Sequence, residues 1–155
     1  MLVVFDADGL IAYFDPEDSN HARADILFQN LLDAEAQALF PITAVCEAVT
    51  VLQKQLPKRK PHLAGLVAEK FQAHILHLQT PNEKIILDAF TMFNPYTFSD
   101  TLFDSIIATI ALQYKADAIF SFDKVYKRMR KDMHVNLWLA EELFPTTQPS
   151  ASKPN

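Results

Sequence analysis

Short apolar runs alternate along this chain with longer segments of helical period, and few architectures can bury both. Residues 2–5, Leu-Val-Val-Phe, form a β-branched run read as a buried strand. Residues 38–41, 75–76, 118–120 and 135–139 are the further strand candidates. Between them lie helical patterns. One runs over about 20–36, capped by Ser19 or Asn20, with Ala24, Leu27, Phe28, Leu31 and Leu32 on one face. Thr43 is read as the cap of the next, whose apolar positions are Val45, Val49 and Leu52. A third passes through Leu63, Val67 and Phe71, and a fourth opens at Pro81 and carries Ile85, Ile86, Ala89 and Phe93. A fifth starts near Asp100 or Thr101, runs to about Tyr114 and buries Leu102, Ile106, Ile107, Ile110 and Ala111. Residues 124–130 make a sixth. Strand–helix alternation of this kind predicts a parallel sheet covered on both faces, with sites beyond the carboxyl ends of its strands.

The chain has 155 residues, enough for one domain with a proper core. The expectation is a single domain over 1–144, followed by a disordered polar and proline-rich tail over 145–155. No apolar run is long enough to cross a bilayer. The first five residues carry no positive charge before Asp6, unlike a signal peptide, and the lone Cys46 fits a reducing cytoplasm. Only two glycines occur, Gly9 and Gly65, too few for a glycine-rich phosphate loop. The formal net charge of -5 argues against bulk electrostatic binding of nucleic acid. Positive charge is nevertheless bunched, in Lys54, Lys58, Arg59 and Lys60 and again in Lys124, Lys127, Arg128, Arg130 and Lys131. Such runs are ordinarily solvated faces. Here Lys124, Lys127 and Arg128 follow an acidic residue at a strand end, which makes them the candidates for holding nucleic-acid phosphates.

Four carboxylates stand where an ordinary fold has no need of them. Asp6 ends the first strand, and Asp123 follows the Ile119-Phe120-Ser121-Phe122 run. Glu47 and Asp104 lie early in apolar helices. Each has an ordinary explanation: a loop acceptor for Asp6, a favourable charge at a helix start for Glu47 and Asp104, a cap for Asp123. Together, two strand ends and two helix starts would deliver carboxylates to one edge. Converging carboxylates repel and hold protons, and a divalent cation removes that penalty. Mg²⁺ or Mn²⁺ suits such hard oxygen ligands and activates water toward phosphate.

These residues carry a resemblance. Phe5-Asp6-Ala7-Asp8-Gly9-Leu10-Ile11, Ile42-Thr43-Ala44-Val45-Cys46-Glu47, the segment from Asp104 through Ala111, and Ala118-Ile119-Phe120-Ser121-Phe122-Asp123-Lys124 resemble, in order and spacing, the four motifs of the PIN-domain family, and of its VapC-like toxins in particular. The similarity covers roughly residues 1–140. It implies a three-layer α/β/α fold with a central parallel sheet, Mg²⁺ or Mn²⁺, and endoribonuclease activity. By the same resemblance Asp6, Glu47, Asp104 and Asp123 take the metal-binding and catalytic roles, and Ser121 helps to orient the site. The chain departs from the family pattern at Ser121, commonly threonine, at Tyr126, commonly phenylalanine, and at Asp8, commonly Asn, Thr or Ser. Asp8 therefore stands as a further candidate ligand. RNA as substrate and a small antitoxin partner follow from the resemblance, and a homodimer follows from the resemblance together with the apolar content of the helices.

Two alternatives stay open at this point. The Phe5-Asp6-Ala7-Asp8-Gly9 segment also resembles the nucleophile motif of haloacid-dehalogenase-like phosphatases, although Leu10 departs from it and Glu47 and Asp104 would go unexplained. A non-catalytic PIN-like module that binds metal and a partner has the same sequence signature. The histidines fit no ligand spacing, and Phe98, Phe103, Phe120 and Phe122 read as core.

Overall fold

A computed structural model describes residues 1–54, 60–73, 78–93 and 102–144. Four strands, β1 (Leu2–Phe5), β2 (Gln37–Pro41), β3 (Leu78–Gln79) and β4 (Ala118–Phe120), form one sheet in the order β3-β2-β1-β4, with every pairing parallel. Val3, Val4, Phe5, Ala118, Ile119 and Phe120 are all buried, as expected for strands covered on both faces. The covering helices are α1 (Ala7–Phe14), α2 (His21–Asp33), α3 (Ile42–Lys54), α4 (Pro61–Ala73), α5 (Glu83–Met92), α6 (Leu102–Gln113), α7 (Val125–Met133) and α8 (Ala140–Leu143). This is the three-layer parallel α/β arrangement that the alternation predicts. At its centre the Phe5 ring stacks on Phe120 at 4.5 Å between centroids and meets Phe40 at 4.7 Å.

Several expectations need correction. Residues 135–139 do not form a strand. His134 turns the chain at φ 54°, Leu137 N–H bonds back to the Val135 carbonyl, and Arg130 takes the Leu137 carbonyl. Those contacts use up the groups a ladder needs, and only Leu139 bridges to Ile119. The expected helix over 20–36 stops at Asp33, because Glu35 adopts φ 50° and Ala36 N–H closes on the Leu31 carbonyl. Leu32, placed on the same apolar face as Leu27 and Leu31, is 55% exposed, whereas Leu27 and Leu31 are buried. Thr43 caps nothing: β2 ends at Pro41 and α3 begins at Ile42, so Thr43 already lies within the helix. Two helices, α1 and α8, were not anticipated. The strand expected at 75–76, the helix start at Asp100 or Thr101 and the tail from 145 lie outside the described residues.

Gly9 lets α1 sit close to the sheet. A Cβ there would come within 2.3 Å of the Phe120 carbonyl oxygen and 2.5 Å of its ring. The first turn of α1 therefore rests directly on the end of β4, and it carries the acidic residues of the first motif with it.

Candidate active site

The register Phe5↔Phe120 sets the ends of β1 and β4 side by side. Asp6 N–H continues the pairing to the Phe120 carbonyl at 3.2 Å, and Ser121 leaves β4 beside it. Asp6 is 5% exposed and stands at the start of α1. Its Oδ1 accepts from Ala7 N–H at 2.7 Å, and its Oδ2 accepts from the Tyr126 hydroxyl, also at 2.7 Å. Asp8, in the first turn of α1, reaches back across the edge to accept from Phe122 N–H at 2.8 Å through Oδ2. Its Oδ1 is buried without a hydrogen-bond partner among the described residues. The fully buried Ser121 hydroxyl lies in hydrogen-bonding relation to Asp8, and its oxygen accepts from Asp123 N–H at 3.1 Å. Asp123 is exposed and accepts from Val125 N–H at 2.9 Å, so it also fixes the start of α7. Glu47 comes from the second turn of α3 and Asp104 from the first turn of α6, both half-buried.

The electrostatics join these residues into one group. Burial pushes the Asp6 carboxyl well above the usual range, and the charges of Asp8 and Asp104 push it further, against the Tyr126 and Ala7 hydrogen bonds. Asp8 is raised by burial first and also by Asp123, against the lowering influence of Ser121, the Phe122 amide and Gly9. Glu47 is raised by burial, then by Asp104 and Asp8. Burial and the surrounding carboxylates raise Tyr126 too, so its phenol keeps the proton it donates to Asp6. Among the described residues, no cation figures among the groups acting on Asp6, Asp8 or Glu47. As the side chains stand, no three of the described His, Cys, Asp or Glu residues enclose a point where an ion would sit. Beside Glu47 a mainly apolar cleft of about 430 Å³ opens between Ile42, Cys46, Val51 and Phe103.

Residues 3–132 match the family described as "PIN domain". The chain belongs to the PIN-domain family. No curated protein sequence matches it. Among solved structures this PIN domain is similar to the crystal structure of Mycobacterium tuberculosis VapC20, described as a sarcin–ricin loop cleaving toxin. The TM-score is 0.68 over 81% of this chain and 93% of that one, at 11% identity. That likeness is one of fold. The family match spans all four acidic motifs, whereas the phosphatase alternative accounted for the first alone.

Within the PIN domain the structure sets Asp6, Asp8, Glu47, Asp104, Asp123 and Ser121 around one sheet edge. The basic candidates divide. Lys124 is exposed at the start of α7, and Arg128 is exposed and engaged in contacts of its own. Lys127 is turned to Glu141 at 3.4 Å and Glu142 at 4.0 Å. Of the aromatic set read as core, Phe120 is buried, Phe122 is half-buried and Phe103 is 44% exposed, while Phe98 lies outside the described residues. The residue that sequence reasoning missed is Tyr126. Its departure from the family's phenylalanine was visible, but the Asp6 acceptor across the sheet end was not.

Proposed function

We propose that this PIN domain is a divalent-metal-dependent endoribonuclease, acting as the toxin of a toxin–antitoxin pair. The observation that carries the reading is the set of carboxylates at the β1–β4 edge that raise one another's pKa, with no cation among the described residues acting on Asp6, Asp8 or Glu47, and with the Asp8 Oδ1 buried and without a hydrogen-bond partner among those residues. An all-oxygen donor set of this kind fits Mg²⁺ or Mn²⁺ rather than zinc. Asp6, Glu47, Asp104 and Asp123, with Asp8 as a further ligand, would hold the metal. When bound, such an ion lowers the pKa of water and neutralises charge on a phosphodiester. The chain's own residues set the geometry. Tyr126 and the Ala7 amide fix the two oxygens of Asp6, and Ser121 and the Val125 amide fix Asp123.

The PIN family, together with the likeness to a toxin described as cleaving the sarcin–ricin loop, supports RNA as substrate. A cytoplasmic location, a homodimer and a small antitoxin belong to the same reading. The antitoxin would place a guanidinium or ammonium among the carboxylates, supplying the missing positive charge. Purified protein incubated with bulk RNA should cut it with Mg²⁺ or Mn²⁺ and stop in EDTA. Full activity in EDTA, or activity with zinc alone, would refute the mechanism. A monomer by light scattering at micromolar concentration would remove the dimer.

A further inference from the structure

Arg23 stands beside the acidic edge although no motif includes it. Its guanidinium carbon lies 4.9 Å from the centre of the Phe122 ring. Phe122 sits between Ser121 and Asp123, and its amide is the one that donates to Asp8. Arg23 therefore packs on the residue that joins Ser121 to Asp123 and whose amide holds Asp8. It donates to Asn20 Oδ1 at 2.9 Å and to Glu141 Oε2 of α8. The other oxygen of Glu141, Oε1, faces Lys127 of α7 at 3.4 Å. Exposure runs opposite ways in this group: the Glu141 side chain is 16% exposed, against 45% for Arg23 and 40% for Lys127. The carboxylate is tucked in and the cations face out. Glu142 completes the group, pairing with Arg130 at 3.0 Å and lying 4.0 Å from Lys127. Three cations thus meet two carboxylates, which leaves one positive charge in a chain whose net charge is -5.

We propose that Arg23, together with Lys127, forms the phosphate-binding rim of the RNA site, and that Glu141 is an internal anion holding both cations until a substrate phosphate displaces it. The proposal rests on the endoribonuclease reading. Arginine stacked on an aromatic face presents a planar fork that matches phosphate, and its orientation is already set before the ligand arrives. Phe122 and Asn20 supply that orientation here. The cations of both pairs are more than a third exposed, where solvent weakens ion pairing, so exchanging the Glu141 carboxylate for a phosphate is an accessible step. It also resolves the mismatch between an acidic chain and an anionic substrate: the rim is positive only locally, and Glu141 sets how positive.

The test is fluorescence anisotropy of a short labelled single-stranded RNA in EDTA, where nothing is cut, over a range of NaCl concentrations. Arg23→Ala should weaken binding several-fold and reduce the slope of log affinity against log salt by about 0.7, the value for one phosphate contact on a single strand. Arg23→Lys should keep the slope but not the full affinity, since an ammonium lacks the stacked fork. Glu141→Gln should tighten binding several-fold and steepen the slope, and this gain should largely vanish when Arg23→Ala is combined with it. If the cluster merely ties α2, α7 and α8 together, Glu141→Gln will melt lower and bind RNA no more tightly, and the proposal is overturned. Parent affinity and slope in Arg23→Ala overturn it equally. Parent protein that cuts RNA with Mg²⁺ while the variants bind alike removes this rim alone. Parent protein that neither binds nor cuts RNA removes the endoribonuclease reading as well.

Discussion

Asp6 and Asp15 flank the same eight-residue helix, α1, one at each end, and both are buried. Their surroundings are opposite. Burial alone would raise Asp15, but Lys60 reaches both of its oxygens, at 2.6 and 2.5 Å, and the Glu17 amide adds a third bond, so its carboxyl is held below the usual range. Asp6 receives a phenol and one amide, faces Asp8 and Asp104, and is held above that range. A carboxylate that only serves structure is supplied with its counter-charge by the chain. One placed among like charges, with no described cation acting on it, is poised for a charge that the described residues do not supply.

The largest effect that would break this contrast is catalytic. Asp104→Asn should lower RNA cleavage on the order of a hundredfold or more, since a candidate metal position is lost. In EDTA the same variant should melt higher than the parent near pH 7, because one charge that raises Asp6 and Glu47 is gone. A variant that melts lower yet cleaves at the parent rate would return Asp104 to an ordinary helix-start role. Next in size, Gly9→Ala should destabilise by about 1–3 kcal/mol, because the new methyl meets the Phe120 carbonyl as well as the buried Phe120 ring, and the backbone cannot move aside as a flexible side-chain end could. The damage belongs to the Asp6 end of α1, so cleavage should fall in the protein that remains folded. A chemical denaturation curve matching the parent would show that α1 does not rest on β4 as described.

Lys60→Met attacks the other end. It should lower the melting temperature near pH 7 and leave cleavage close to the parent level. The stability that Asp15 contributes is present above its unfolded pKa and is lost as pH falls through its lowered native value, so parent and variant should converge in acid. Equal melts at pH 7 would remove the pairing from the account of stability. Smallest is the pH slope of the metal-free parent. Asp6, Asp8 and Glu47 keep protons that the unfolded chain has already released, so the native state binds more protons than the unfolded one. Stability in EDTA should therefore fall as pH rises from the ordinary carboxylate range through the raised values, and Mg²⁺ should flatten the decline. A melting temperature that climbs over that interval in EDTA would contradict the assignment.

How far each part was legible in the sequence follows from what encodes it. The strands β1, β2 and β4 were read because a doubly buried parallel strand must be apolar throughout, as Val3-Val4-Phe5 and Ala118-Ile119-Phe120 are. The four carboxylates stood out by the reverse logic, as charges at the ends of apolar segments. Helix α1 was hidden because it starts with no loop after β1 and is uniformly apolar around Asp8 and Gly9, so it shows neither an amphipathic period nor a separate cap. The expected strand over 135–139 failed because its apolar residues pack without a ladder, Leu137 and Leu139 being buried from an irregular path. The partners of Asp6 and Arg23, Tyr126 and Glu141, are over a hundred positions away in the chain, 120 and 118 residues respectively. Periodicity is a local signal and carries nothing about such distant pairs.

The junction between β2 and α3 has a consequence for how this chain tolerates insertions and deletions. Pro41 ends the strand and Ile42 begins the helix, with no residue between them. An α-helix turns about 100° per residue, so one amino acid inserted there would swing Glu47 a quarter-turn or more away from Asp104 and Asp8 while leaving every apolar residue of the sheet in place. The joint has no slack, and the bearing of Glu47 about its helix axis is dictated by the strand.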